Sequence, residues 1–231
     1  MKDKKIFFFV FCFILIDIFL LLGFLYLRDV TSKNRLRKEI NALSKLDITK
    51  DRYNTKIKSS GKDKVVEEAI KTYLDDYAVG LQEVSGVLSD STLTKVLSYD
   101  NYQSDGPEFK KSRKYLSETR DKFDNIIDNL ISKSEKETIS NYIYDKTTDP
   151  ELVKLYQELM LDDSILEELN SNKELLVNTK VKIDNILDTS LEILNFLNTY
   201  SDSWIIENGE IKFKNKELFN YYNNLISKVK E

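Results

Sequence analysis

A chain of 231 residues is long enough for one or two domains, and with 41% hydrophobic and 32% charged residues it has globular rather than disordered content. It contains no His, and its single Cys, Cys12, lies in an apolar run. Ser-His-Asp and Cys-His catalysis, the common zinc sites and any disulfide within a polar domain are thereby excluded. The formal charge is −4, and setting aside the +2 carried by the first 28 residues leaves −6 on the remainder. An acidic surface without a basic stripe repels a phosphate backbone, so no nucleic-acid partner is expected. Lys well in excess of Arg, with frequent Asn, Ile and Tyr, suits a low-GC bacterial genome.

A short basic tail, residues 1–5, precedes the run IFFFVFCFILIDIFLLLGFLYL at residues 6–27. At 1.5 Å per residue such a run spans a hydrocarbon core, so it is read as a transmembrane anchor. A cleaved signal peptide would have a shorter apolar region followed by small residues, whereas here Phe24, Leu25, Tyr26 and Leu27 follow Gly23. Lys2, Lys4 and Lys5 lie before the span and Arg28, Lys33, Arg35, Arg37 and Lys38 after it. A simple count favours a cytoplasmic domain. The signal-anchor layout, a short tail followed at once by a long apolar run, favours translocation of the C-terminal part, and an extracytoplasmic domain is expected on that ground. Asp17 sits near mid-span. A carboxylate there either contacts a partner transmembrane helix, in another protein or a second copy, or is carried neutral by a very hydrophobic helix.

Leu36, Ile40, Leu43 and Leu46 continue the helical spacing as a stalk to about residue 46. Residues 28–62 together read as juxtamembrane stalk and linker, with Ser59-Ser60-Gly61 in the connection. A bundle domain is expected over residues 63–231. Its first helix starts near Asp63, on the stripe Val66, Ala69, Ile70, Tyr73, Tyr77, Leu81, Val84 and Leu88. Ser98–Phe109 is read as the longest break in the domain, because Asp105-Gly106-Pro107 is a firm turn signal. Pro107 is placed in the first turn of the next helix, which carries Phe109, Leu116, Phe123, Ile126, Ile127, Leu130 and Ile131. Ser134 with Glu137 reads as a capping box, and Asp149-Pro150 as an N-cap with Pro at the first helical position. Leu176, Ile183, Leu187, Leu194 and Leu197 mark a long helix from about Asn172 to Tyr200. Then the period changes. Asn208-Gly209 between Trp204–Glu207 and Glu210–Phe213 predicts a two-residue β-hairpin at about residues 203–213, and Asn215 caps a final helix. The fold class is all-α: an N-terminal transmembrane helix followed by an antiparallel helical bundle with one small hairpin near the C-terminus.

No phosphate loop, nucleophile motif or metal spacing is present, so no catalytic residue, cofactor or metal is assigned. The acidic cluster Asp162, Asp163, Glu167 and Glu168 lacks the spacing of a calcium loop and reads as a solvated helix start. Tyr102 and Asp105, in the polar loop, and Trp204, at the hairpin, are the candidate partner contacts beside Asp17. For the loop residues ordinary turn chemistry is the competing reading, and for Trp204 it is packing of the hairpin on the bundle. The expected role is non-enzymatic: a single-pass membrane protein of the bacterial envelope that contacts another membrane or envelope protein, or itself. The alternative is a ligand-sensing or regulatory subunit of a membrane signalling or transport complex.

Overall fold

The computed structural model describes residues 36, 38 and 56–230. The basic tail, the apolar run with Asp17 and most of the stalk lie outside the described residues. Of the stalk, Leu36 and Lys38 are helical, the first buried and the second exposed, as the spacing requires. Among the described residues no helix is long and apolar enough to cross a membrane.

The chain is mostly helical, a helical bundle with one small antiparallel hairpin near its C-terminus. In order it forms α1 (Asp63–Leu88), α2 (Ser91–Lys95), α3 (Tyr99–Asp105), α4 (Lys110–Lys133), α5 (Lys136–Tyr144), α6 (Pro150–Met160) and α7 (Asp163–Thr199). A 3-10 turn at Ser201–Ser203, strands β1 (Trp204–Glu207) and β2 (Glu210–Phe213), and α8 (Lys216–Lys230) complete it. The residues group into two compact units. The hairpin unit comprises Gly86–Asn125 and Asn178–Glu231; the tyrosine unit comprises Ile126–Val177 and the described residues up to Ser85.

In the tyrosine unit, α1 buries Val66, Ala69, Ile70, Tyr73, Tyr77 and Leu81, the apolar stripe of its sequence. Gly80 allows a close approach: a Cβ there would lie 2.7 Å from the Leu130 side chain on α4. Tyr73 meets Tyr142 edge-on at 5.4 Å, and the Tyr156 hydroxyl donates to the Ile139 carbonyl at 2.8 Å. Asp149 caps α6 by accepting from the Glu151 amide at 3.0 Å, with Pro150 at the first helical position.

The segment before α1 is fastened through a buried ion pair. The Lys71 ammonium lies 2.6 Å from the Glu67 carboxylate one turn away. That carboxylate accepts the amides of Lys58 at 3.0 Å and Ser59 at 2.6 Å, while Lys71 donates to the Lys56 carbonyl at 2.8 Å.

Four expectations are corrected. The stretch read as a break holds the short helix α3, in which Ser98 accepts from the Asn101 amide. Pro107 is not in the first turn of the next helix, because Gly106–Phe109 form a turn and α4 starts at Lys110. The capping box at Ser134 does not form: its hydroxyl donates back to the Leu130 carbonyl, and Glu135 is the N-cap of α5 without a side-chain bond. The long helix also begins earlier than its apolar pattern, at Asp163, which places the acidic cluster in and beside its first turn.

Candidate functional site

The sequence singles out Tyr102, Asp105 and Trp204, and all three fall in the hairpin unit. α3 is amphipathic only in the sense that one side chain, Tyr102, points inward, with 1% of its surface exposed. Its hydroxyl lies 3.1 Å from that of Tyr222 on α8. Phe109 meets Tyr102 edge-on at 5.8 Å and stacks on Trp204 at 6.4 Å with 19° between the rings. The Trp204 indole N–H donates to the Leu197 carbonyl at 2.8 Å. The structure therefore brings Tyr102 and Trp204 together in an internal aromatic cluster that fixes α3, the hairpin and α8 to one another. For Trp204 this is the packing role weighed above.

Backbone geometry serves the same cluster. Phe109 has φ +53° and is fully buried, an unfavourable conformation for a bulky residue that the surrounding rings hold in place. At Gly106 a Cβ would meet the Tyr102 carbonyl oxygen at 2.3 Å and the Phe109 ring at 3.1 Å, so only glycine fits.

Asp105 caps α4. Its carboxylate accepts the Ser112 amide at 2.8 Å, the Ser112 hydroxyl at 2.7 Å and the Lys111 amide at 3.2 Å. Burial pushes this carboxyl up, but these bonds outweigh it and hold it below the usual aspartate range. Asn101 is spent similarly, its amide donating to the Val96 carbonyl and the Ser112 hydroxyl. The polar loop residues thus act on their own backbone.

Carboxylates also meet where α4 faces α7. Asp124 pairs with Lys180 at 3.4 Å, and Arg120 pairs with Asp188 and lies 3.9 Å from Asp184. Burial and the neighbouring Asp124 raise the Asp184 carboxyl against the pull of Arg120 and Lys180. These acids are cross-paired with bases, and among the described residues no group of three or more His, Cys, Asp or Glu is placed to hold a metal.

A different surface was not singled out by sequence. Glu192 and Phe196 lie four residues apart on α7, Tyr200 follows four residues later just past its end, and Tyr221 of α8 packs beside Phe196. The Phe196 ring is 5.0 Å from Tyr200 and 5.1 Å from Tyr221. The Tyr221 hydroxyl donates to Glu192 at 2.8 Å. Tyr200, Phe219 and Tyr221 are 42%, 43% and 48% exposed, with Phe196 nearly buried beneath. The signal available in the sequence was the i, i+4, i+8 spacing of an acid and two rings, on a side of α7 other than its apolar stripe.

No family model, curated protein or solved structure matches this chain. Its own geometry is therefore the ground for a functional reading. The internal cluster is used up in folding, while Tyr200, Ile205, Phe219 and Tyr221 stay exposed outside it.

Proposed function

We propose that the protein is a single-pass, membrane-anchored helical protein of the bacterial envelope that works by protein–protein contact rather than catalysis. One observation carries the reading. The polar and aromatic residues with chemical potential, Tyr102, Asp105 and Trp204, serve the interior of the hairpin unit, while that unit leaves large apolar side chains outside. Ile205 is 54% exposed on the outer face of β1, and Phe219 and Tyr221 are little less so on α8. Aromatic and aliphatic side chains of this size on a stable scaffold are what protein contacts use.

The apolar run 6–27 supplies the membrane anchor in this reading, and the domain lies outside the cytoplasm. The test uses the full chain in living cells. A photo-crosslinking residue at position 205 or 219 is expected to capture a discrete protein, and one at buried position 123 to capture none. Alkaline phosphatase fused after residue 231 is expected to be active and a fluorescent protein fused there dark. Capture of nothing at either exposed position overturns the contact reading. A dark phosphatase with a bright fluorescent protein reverses the orientation. A subunit that senses a ligand is the second reading, favoured by the carboxylate set among the exposed rings of α7 and α8.

A further inference from the structure

We propose that the free edge of β1 pairs antiparallel with the β1 edge of a second copy of the chain, joining two hairpins into one four-stranded sheet. The pairing rests on the contact reading and gives that contact its partner. The ladder within the hairpin fixes which backbone groups are left over. The Lys214 amide donates to the Ser203 carbonyl at 2.9 Å, and the register sets Ile205 against Lys212 and Glu207 against Glu210. Residues two apart turn their amides and carbonyls to the same side of an antiparallel strand, so Ser203, Ile205 and Glu207 bond to β2 and its flank. Trp204 and Ile206 turn theirs to the other side. Among the described residues nothing bonds to those four groups. Both residues are only half-buried, and unpaired backbone groups there face water. A row of them is a template for another extended strand.

Side chains select the second copy as the occupant, and β1 over β2. Pairing Trp204 with Ile206 of the second copy puts a two-fold axis at Ile205. That residue then faces itself as a non-hydrogen-bonded pair, with Cα atoms about 4.5 Å apart. Ile205 is 54% exposed, the most of any large apolar side chain among the described residues, and a self-pair covers it with its own kind. Charge agrees. On the same outer face the hairpin is acidic at its turn, with Glu207 and Glu210, and basic toward its base, with Lys212 and Lys214. The axis lays Glu207 opposite Ser203 of the second copy, with Lys214 of that copy next in the row. The edge of β2 suits no such pairing. A two-fold axis there falls on Lys212 and sets like charges opposite each other, and the Phe213 ring of that strand lies 5.4 Å from Tyr222 of α8. The contact is small. A four-residue edge with one apolar side chain stays below the roughly 800 Å² per partner of a stable interface. Anchoring both copies in one membrane raises their effective concentration and offsets that.

The test uses the full-length chain in isolated membranes, with Cys12→Ser removing the single thiol. Ile205→Cys sets two thiols within the roughly 4.4–6.8 Å between Cα atoms that a disulfide spans, and copper phenanthroline is expected to link the two copies. Tyr144→Cys, at a position 51% exposed in the other unit, controls for random collision. It is expected to give about tenfold less dimer. A mixture reads the register. Ser203→Cys and Glu207→Cys in the same membrane should link to each other. Glu207→Cys alone should not, because its two copies lie about 14 Å apart along the strands. Ile205→Lys in both partners puts like charges on the axis and is expected to cut the mixed cross-link about tenfold. Helical circular dichroism should be unchanged, since position 205 is outside the core. Equal dimer from positions 205 and 144, or none from the mixture, overturns the pairing. A photo-crosslinking residue at 205 separates the two failures. Capture of another protein without a disulfide dimer sinks the pairing and leaves the contact reading standing, and capture at neither 205 nor 219 sinks both.

Discussion

Glu67 and Lys71 place a carboxylate and an ammonium 2.6 Å apart, with side chains 1% and 2% exposed, one helical turn apart on α1. Burial alone would raise the Glu67 carboxyl. Bonds from Lys71, Ser59 and Lys58 overcome it and bring the group from 4.5 down to about 2. A carboxyl lowered on folding contributes stability that is present in full above its unfolded value and is lost as pH falls. For Glu67 that loss runs from about pH 4.5 toward pH 2. Chemical denaturation between pH 7 and pH 3 should show the loss, and Glu67→Gln should flatten it.

At neutral pH, Glu67→Gln removes the buried carboxylate that Lys71 and the amides of Lys58 and Ser59 bond to, which costs about 3–5 kcal/mol. The double variant Glu67→Gln, Lys71→Met replaces the pair by uncharged side chains and is expected to recover part of that. It should still free the segment 56–60, whose amides Glu67 accepts and whose Lys56 carbonyl Lys71 holds. Limited proteolysis reads this directly. Cleavage near Ser59 is expected to be faster in the double variant than in the wild type, and equal rates would show that the segment is held by other contacts.

The hairpin tests a turn. Asn208 and Gly209 have φ of +53° and +74°, the left-handed pair that joins β1 to β2. Valine at both positions is strained by about 1–2 kcal/mol per residue. The register Trp204 with Phe213 and Ile206 with Ile211 would be lost with it. Emission of Trp204, the single tryptophan, should shift to the red, while the helical signal should change little. Unchanged emission would show that packing on α3 and α8 holds the strands without the turn.

What the sequence made legible follows how local the cause is. Asp149-Pro150, Asn208-Gly209 and Asn215 act within two or three residues of themselves, and each stands where it was read: the Glu217 amide, for example, donates to the Asn215 side chain at 2.7 Å. The failures have tertiary causes. Ser134 has the residue type for a cap, but its hydroxyl is buried and satisfied by Leu130. The early part of α7 went unread because its buried stripe, Ile165, Leu169, Asn172 and Leu176, passes through a polar side chain that is itself 3% exposed. Seven mainly polar residues with one inward tyrosine gave α3 no period to detect. The loop's polar residues resemble a ligand site by composition, and only three-dimensional contacts show that they bond to their own backbone. Tyr200 and Tyr221 meet on Phe196 only when α8 is set beside the end of α7, which no spacing within either helix encodes.

Gly106 gives a sharper test of the internal cluster. Alanine there would drive its Cβ against the Tyr102 carbonyl and the Phe109 ring. Phe109 already holds a positive φ, so the turn has little room to yield. Gly106→Ala is expected to destabilise by about 1–3 kcal/mol and to shift Trp204 emission, since Phe109 stacks on that indole. Thermal unfolding followed by both circular dichroism and fluorescence measures the two effects together. A variant with wild-type stability and emission would mean that the cluster tolerates displacement and does not fix α3 to the hairpin.

Asp17 concerns the one candidate that lies outside the described residues. A carboxylate at mid-bilayer disfavours insertion by about 2.5–3.5 kcal/mol, and such residues face partners in most membrane proteins. In the proposed function it contacts a second transmembrane helix, where an interhelical hydrogen bond adds about 0.6–2 kcal/mol. Asp17→Leu removes the polar group and raises the hydrophobicity of the run, so insertion itself should not suffer. Crosslinking in intact membranes should then give a specific species in the wild type that weakens severalfold in the variant, at equal amounts of protein in the membrane fraction. Two identical crosslinking patterns would show that the run carries Asp17 without a partner, and contact with other proteins would then rest on the outer surface of the helical domain.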